Sequence, residues 1–219
     1  MDANNLIDGL IMYIGLVVLL TFHEFGHAWT ALKCGDDTAK LQGRVSLNPL
    51  AHIDPIGTVV IPLLAIFLAM RGSIAAGFLI GWARPVPVNV YNLRNPRVDD
   101  ILVTIAGPGM NVLLAILLLA AARIGAMAGV QGMVTICGEW AFVSLLLCFF
   151  NLIPIPPLDG SQIVRSLFRI SYESYHQFAR YGFIILILVI QIPFVQLAIG
   201  AMTYKSWAGI GGLFGMHLS

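Results

Sequence analysis

Residues 9–27 read GLIMYIGLVVLLTFHEFGH, an apolar run that ends in three ionisable side chains within five positions. A helix needs about 20 mostly apolar residues to cross the hydrocarbon core of a bilayer. Ionisable side chains within such a span are costly and are usually functional. This stretch therefore predicts a membrane helix that carries a site near its carboxyl end.

The composition extends this prediction to the whole chain. The 219 residues are 58% hydrophobic and 11% charged, and the mean hydropathy is +0.88, as in polytopic membrane proteins. A formal net charge of +1 gives no basic surface for phosphates, so we exclude nucleic acid as a partner and expect the lipid bilayer as the surroundings. The sequence shows no repeat and no long linker, which predicts a single domain over residues 1–219. No cleavable signal peptide is recognisable, so we expect the first helix to remain in the mature protein.

Apolar segments define the predicted fold class. Four are long enough to span the membrane: residues 6–32, 101–122, 133–153 and 181–202. A shorter apolar pair follows Asp54 and Pro55, which read as a helix N-cap and a first-turn proline. We predict an all-α polytopic membrane protein with about five transmembrane helices, a re-entrant or partly inserted hairpin at residues 56–82, and short extended strands. The strand candidates are residues 41–47 and 84–90, and both can also be read as plain connecting loops.

The twelve Lys and Arg residues favour the hairpin, because cytoplasmic loops concentrate these residues. If residues 56–70 cross the membrane once, the two sides carry five and seven of them. If the chain instead returns through residues 73–82, nine lie on one side and three on the other. The nine are Lys33, Lys40, Arg44, Arg84, Arg94, Arg97, Arg165, Arg169 and Arg180. We therefore expect a multi-pass protein of the cell membrane with its site toward the cytoplasmic side.

The motif H-E-x-x-H occupies residues 23–27. Histidines four positions apart project from one face of a helix, so His23 and His27 can bind one metal ion while Glu24 addresses its open side. A hydrolytic zinc site has three protein ligands and a water molecule, whose pKa the metal lowers toward about 7. The motif therefore predicts a zinc hydrolase with Glu24 as the general base and a third ligand elsewhere.

Asp159 is the candidate for the third ligand. It lies in NLIPIPPLDG, residues 151–160, where three prolines break an apolar span. Irregular backbone at membrane depth persists only when it is buried in protein or lines a wet cavity. At 1.5 Å per residue, the first helix rises about 21 Å along its axis from Gly9 to His23, and the helix of residues 133–153 rises about 17 Å from Trp140 to Asn151. The two motifs therefore reach one level if both helices cross in the same direction.

These residues resemble the site-2 protease family of intramembrane zinc metalloproteases. The resemblance rests on HEFGH (residues 23–27), GPGMN (residues 107–111) and NLIPIPPLDG (residues 151–160), and it covers roughly residues 6–170. It implies that His23, His27 and Asp159 bind Zn²⁺, that Glu24 is the catalytic base and that Asn151 contacts the substrate backbone or the oxyanion. No inserted PDZ domain is recognisable, which implies a compact member of the family. The implied partner is a transmembrane or membrane-proximal segment of a protein substrate.

Some interpretations remain open. A transporter or ion carrier could use intramembrane His, Glu and Asp, although the inverted repeats typical of transporters are not evident. A protease-like scaffold that binds membrane partners without cleaving them is a second alternative. Asn111 fits either helix packing or substrate contact. His52 fits either a gating or ligand-orienting role or that of an ordinary loop residue.

Overall fold

The computed structural model describes residues 3–70 and 82–216, and this part of the chain is helical without a β-strand. The α-helices are α1 (Ala3–Cys34), α2 (Thr38–Leu41), α3 (Ile61–Met70), α4 (Pro96–Met127), α5 (Gln131–Asn151), α6 (Asp159–Leu167), α7 (Tyr172–Ile190) and α8 (Pro193–Leu213). The all-helical prediction is confirmed. The predicted short strands are wrong, because residues 41–47 form a helix end and turns, and residues 84–90 run without a strand partner.

Three helices are long and apolar enough to cross a membrane, namely Leu6–Cys34, Pro96–Met127 and Gln131–Asn151. Helices α1 and α4 are antiparallel, because His23 of α1 contacts Asn111 of α4 while the later His27 contacts the earlier Val103. Helix α5 follows α4 after a turn of three residues and packs back against it. Helices α1 and α5 therefore run in the same direction, as the depth of the two motifs requires.

Small side chains let these helices approach closely, as is common in membrane bundles. A Cβ atom on Gly26 of α1 would lie 2.7 Å from the main-chain oxygen of Ala106 on α4. Between α4 and α5, Ala115, Leu119, Ala141 and Leu145 form a buried cluster. Because α1 and α4 approach closely, Gly107 and Asn111 of α4 lie next to the histidines of α1.

The carboxyl-terminal helices α7 and α8 meet at an angle of 82°. The span predicted over residues 181–202 is therefore not one straight helix but part of a bent pair of helices. The break falls at Gln191 and Ile192, directly before Pro193, because a residue before proline disfavours the helical conformation. If the bent pair is counted as one span, the described residues contain four spans, which is fewer than the predicted count of about five.

The predicted hairpin is visible in its first half. Asp54 caps it with a carboxylate oxygen that accepts hydrogen bonds from the N–H groups of Ile56 and Gly57, and a π-helical turn, Pro55–Val60, leads into α3. Residues 71–81, which include most of the predicted return, lie outside the described residues. Trp82 lies beside the start of the hairpin, because its N–H donates to the Gly57 carbonyl at 3.1 Å and its carbonyl accepts from Thr58 at 2.8 Å.

Two buried charged side chains fix the loops around the hairpin. The guanidinium of Arg44 donates to the carbonyls of Ala51, Arg84 and Pro85, which joins two loops. Asp36, at the end of α1, has no exposed surface and accepts hydrogen bonds from Thr38, Asn89 and Asn92. Burial alone would raise the pKa of Asp36, but these hydrogen bonds hold that pKa below its ordinary value. Together the two side chains hold the extended segment of residues 82–90, the "82–90 loop" below, against the end of α1.

Candidate metal centre

Three potential ligands meet at the junction of α1, α4 and α6. The Nε2 atoms of His23 and His27, one helical turn apart, lie 3.1 Å from each other. The Oδ2 atom of Asp159 lies 3.2 Å from the first and 3.3 Å from the second. Four tetrahedral ligands at zinc bond lengths of about 2.0–2.1 Å are about 3.3–3.4 Å apart. The three atoms thus form a triangle of the size that a tetrahedral metal ion requires.

The environment of Asp159 also fits a cation. Its Oδ2 atom is buried and has no hydrogen-bond donor among the described residues. A buried carboxylate oxygen without a donor is costly, because it has lost water and gained no partner. Two imidazole nitrogens and one carboxylate oxygen form a donor set that zinc binds in hydrolytic sites. These residues can therefore hold a metal ion, and their assignment as ligands stays a prediction.

Helix α6 places Asp159, its first residue, at this point. The proline-rich turn that ends α5 packs directly on α6, where a Cβ atom on Gly160 would lie 2.6 Å from the Ile153 carbonyl. At the other end of α6, the buried guanidinium of Arg165 contacts the Asp100 carboxylate of α4 at 2.5 Å. The ion pair anchors α6 to α4, and the turn anchors it to α5, so Asp159 is held toward α1.

Helix α4 contacts both histidines at Nδ1, the ring nitrogen outside the ligand triangle. The Nδ1 atom of His27 lies 2.7 Å from the main-chain oxygen of Val103. Because a carbonyl only accepts, this contact places the proton of a neutral ring on Nδ1 and leaves Nε2 unprotonated for a metal. The Nδ1 atom of His23 has a side-chain neighbour instead, the amide of Asn111 at 3.2 Å.

Glu24 is buried, and the main chain of the 82–90 loop positions its carboxylate. The N–H of Val86 donates to Glu24 Oε2 at 3.0 Å. Glu24 lines a cavity of about 740 Å³ together with His23, His27 and Asp159. The base candidate and the ligand candidates therefore share one space.

The walls of this cavity are largely apolar. Val86, Val88 and Val90 of the 82–90 loop line one wall, the valine wall, together with Ala83 and Pro85. Phe183 and Leu186 of α7 line another. The volume lies within the range of sites that bury small ligands or short peptide segments. The cavity thus offers apolar space next to the ligand triangle.

Two further sequence candidates lie in different surroundings. Asn151 lines the cavity, and its Nδ2 donates one hydrogen bond to the Leu147 carbonyl at 2.9 Å, which leaves its second amide hydrogen for another acceptor. His52 is 2% exposed, with Nε2 at 2.8 Å from the Ser46 carbonyl, and is not among the residues that line the cavity. Of the two, Asn151 is therefore the residue that borders the cavity.

Sequence reasoning missed three contacts of this centre: the Val86 N–H on Glu24, the Val103 carbonyl on His27 and the Asn111 amide on His23. The first two come from the main chain and have no side-chain signature. Asn111 did carry a signal, because an amide within an apolar helix is costly unless it has a partner. The partner was not identified because it lies 88 positions away in the sequence.

The motif helix, the Asp159 carboxylate from a distant helix and the buried Glu24 carboxylate are the arrangement typical of a metal-dependent peptide hydrolase. The sequence matches Peptidase family M50 over residues 11–129 and 121–190. The chain belongs to this family, that of the site-2 proteases.

Curated relatives carry names that agree with the family. "Putative zinc metalloprotease YwhC" of Bacillus subtilis is 39% identical over 190 residues, which are 83% of this chain and 80% of the relative. "Putative zinc metalloprotease Rip2" of Mycobacterium tuberculosis is 34% identical over 158 residues, 69% of this chain and 54% of the relative. The Rip2 protein of Mycolicibacterium smegmatis is 30% identical over 190 residues, 84% of this chain and 68% of the relative. No solved structure matches the chain.

The family and these relatives confirm the prediction of an intramembrane zinc metalloprotease. They give no support to the transporter alternative. The apolar helices and the family together indicate a membrane protein.

Proposed function

We propose that this protein is an endopeptidase that binds zinc through His23, His27 and Asp159 and cleaves protein substrates within or near their transmembrane segments. The observation that carries the proposal is the triangle of ligand atoms, 3.1–3.3 Å on each side, which borders the same cavity as the buried Glu24 carboxylate. A purely structural cluster would not need a buried carboxylate oxygen of Asp159 without a hydrogen-bond partner among the described residues beside two imidazole nitrogens.

The roles of the surrounding side chains follow from their contacts. His23, His27 and Asp159 would hold the zinc ion, which would supply Lewis acidity toward water and the scissile carbonyl. Glu24 takes the proton of the attacking water and passes it to the leaving amine. The Val86 N–H holds one carboxylate oxygen of Glu24, so the other oxygen is available for the proton. The second amide hydrogen of Asn151 donates to the developing oxyanion.

The cavity favours an apolar, extended substrate segment. A peptide bond in a transmembrane helix is already hydrogen-bonded, so the helix must unwind locally before cleavage. The valine wall of the 82–90 loop can contact apolar side chains of such an unwound segment. A transmembrane or membrane-proximal segment of another protein therefore fits as the substrate class, and the lipid bilayer is the medium through which it reaches the cavity.

The first experiment measures zinc content and proteolysis on the same preparations. We expect the wild-type protein to hold close to one zinc ion per chain and to cleave a reference transmembrane substrate until a chelator removes the metal. The variants His23→Ala and Asp159→Ala are expected to lose both zinc and cleavage. His176→Ala, which changes an exposed histidine outside the cavity, is the matched control and should retain both. Cleavage that persists in chelator, or wild-type zinc content in Asp159→Ala, would contradict the proposal.

We also propose a location, the cell membrane with the metal centre toward the cytoplasm. It rests on the basic residues near the end of α1 that holds the centre, among them Lys33, Lys40 and Arg44. In a background with the three native cysteines replaced by alanine, Lys40→Cys should react with a membrane-impermeant maleimide only after the cells are opened. Met127→Cys, an exposed position at the opposite end of α4, should react in intact cells. The reverse pattern would overturn the orientation.

A further inference from the structure

Asn111 is fully buried in α4, and its side chain contacts a metal-ligand candidate rather than a lipid or a substrate. Its Nδ2 atom lies 3.2 Å from Nδ1 of His23. Its main-chain carbonyl accepts a hydrogen bond from the buried hydroxyl of Ser144 on α5 at 2.8 Å. The main chain of this residue thus contacts α5, and its side chain contacts α1.

The chemistry of a metal-bound imidazole determines what Asn111 must offer. Binding through Nε2 of His23 leaves the ring proton on Nδ1, and this N–H needs an acceptor once it is buried. The amide nitrogen of Asn111 cannot accept a hydrogen bond, but its oxygen can. That oxygen, Asn111 Oδ1, is buried and has no hydrogen-bond partner among the described residues. Rotation of the amide by 180° exchanges the two atoms with little change of shape and gives both Oδ1 and the Nδ1 proton a partner.

The other histidine shows the same arrangement with a different acceptor. His27 directs its Nδ1 at the Val103 carbonyl, 2.7 Å away and two turns earlier on the same helix α4. Helix α4 therefore faces the rear nitrogen of both rings. For His27 the acceptor belongs to the main chain, and for His23 the described residues place the Asn111 side chain beside Nδ1.

We propose that Asn111 is a positioning residue for the zinc centre: its amide oxygen accepts the Nδ1 proton of His23, and this hydrogen bond fixes the tautomer and orientation of the ring. The inference rests on the proposed zinc site and adds a residue to it. Outer hydrogen-bond partners of this kind typically contribute about 10- to 100-fold to metal affinity.

The test measures zinc affinity by competition with a chelator, without reference to proteolysis. Asn111→Leu keeps the number and branching of the side-chain heavy atoms and removes the acceptor, so we expect zinc binding to weaken by about 10- to 100-fold. Asn111→Asp keeps an acceptor at the same place and should bind zinc as tightly as the wild type or more tightly. Ser144→Ala is the matched control, because it removes an equally buried hydrogen bond to the Asn111 main chain and should leave the affinity unchanged.

A second measurement holds even if Asn111→Leu does not fold. A carboxylate accepts the Nδ1 proton more strongly than an amide and so makes the Nε2 atom of His23 a stronger metal ligand. The visible spectrum of the Co²⁺-loaded protein should therefore shift in Asn111→Asp but not in Ser144→Ala. Equal affinities in all variants, equal losses in Asn111→Leu and Asn111→Asp, or unchanged cobalt spectra would overturn the inference. A wild-type protein that binds no zinc would instead overturn the proposed function, so the two failures are distinguishable.

Discussion

Glu24→Gln is expected to abolish cleavage while the zinc content stays at the wild-type level. Glutamine has nearly the shape of glutamate, and its amide oxygen can still accept the hydrogen bond from the Val86 N–H. It cannot accept the proton of the attacking water, so the contribution of the general base, about 10²- to 10⁴-fold in kcat, is lost. The measurement pairs kcat on a reference transmembrane substrate with metal analysis of the same sample.

The control for this experiment is Glu173→Gln, an exposed glutamate in the first turn of α7, which should retain full activity. Full activity in Glu24→Gln would refute the assignment of Glu24 as the base. Joint loss of zinc and activity would show that Glu24 acts as a ligand or a structural residue instead.

Gly107→Ala is expected to lose zinc, and cleavage with it. A Cβ atom on Gly107 of α4 would lie 2.5 Å from Cε1 of His27 and 2.7 Å from Cε1 of His23. Both distances are far below van der Waals contact, and the nearest atom of all would be Nε2 of His27, one of the proposed ligand atoms. The His27 ring or the backbone of α4 must therefore shift, and either shift changes the distances between the ligand atoms. Zinc content and the chelator-competition affinity measure the loss.

A matched control lies two positions further along α4. A Cβ atom on Gly109 meets nothing within 4 Å, so Gly109→Ala should keep zinc and activity. Alanine is also the better helix former by about 1 kcal/mol, which acts in the same direction in both variants. If Gly107→Ala binds zinc like Gly109→Ala, the rings do not occupy the positions described above.

The parts of the site that lie on one helix were predictable from local geometry. The spacing of His23, Glu24 and His27 sets their relative directions as soon as the segment is helical. Asp159 needed more, namely the rule that a hydrolytic zinc site has three protein ligands and the proline break that marks a cavity. The structure brings all of these residues to one cavity, together with Asn151.

The contacts between distant segments were not predictable in the same way. Extended backbone at residues 84–90 resembles a strand in sequence, but a strand also requires a partner in register, and local sequence does not supply one. Pro193 indicates a break between α7 and α8, because the residue before a proline disfavours the helical conformation. The high mean hydropathy of residues 181–202 nevertheless favoured an interpretation as one continuous span. Asn111 could be recognised as an unusual residue, but its partner depends on how α1 and α4 pack.

The hydrogen bond from Val86 to Glu24 has a consequence for how this enzyme can diverge. A peptide N–H is present whatever side chain the residue carries, with proline as the exception. Substitutions at position 86 can therefore reshape the wall that faces an incoming polypeptide while the contact to the carboxylate survives. The side chain of Val86 borders the cavity, and its N–H contacts the Glu24 carboxylate, so evolution or a protein engineer can alter the first without removing the second.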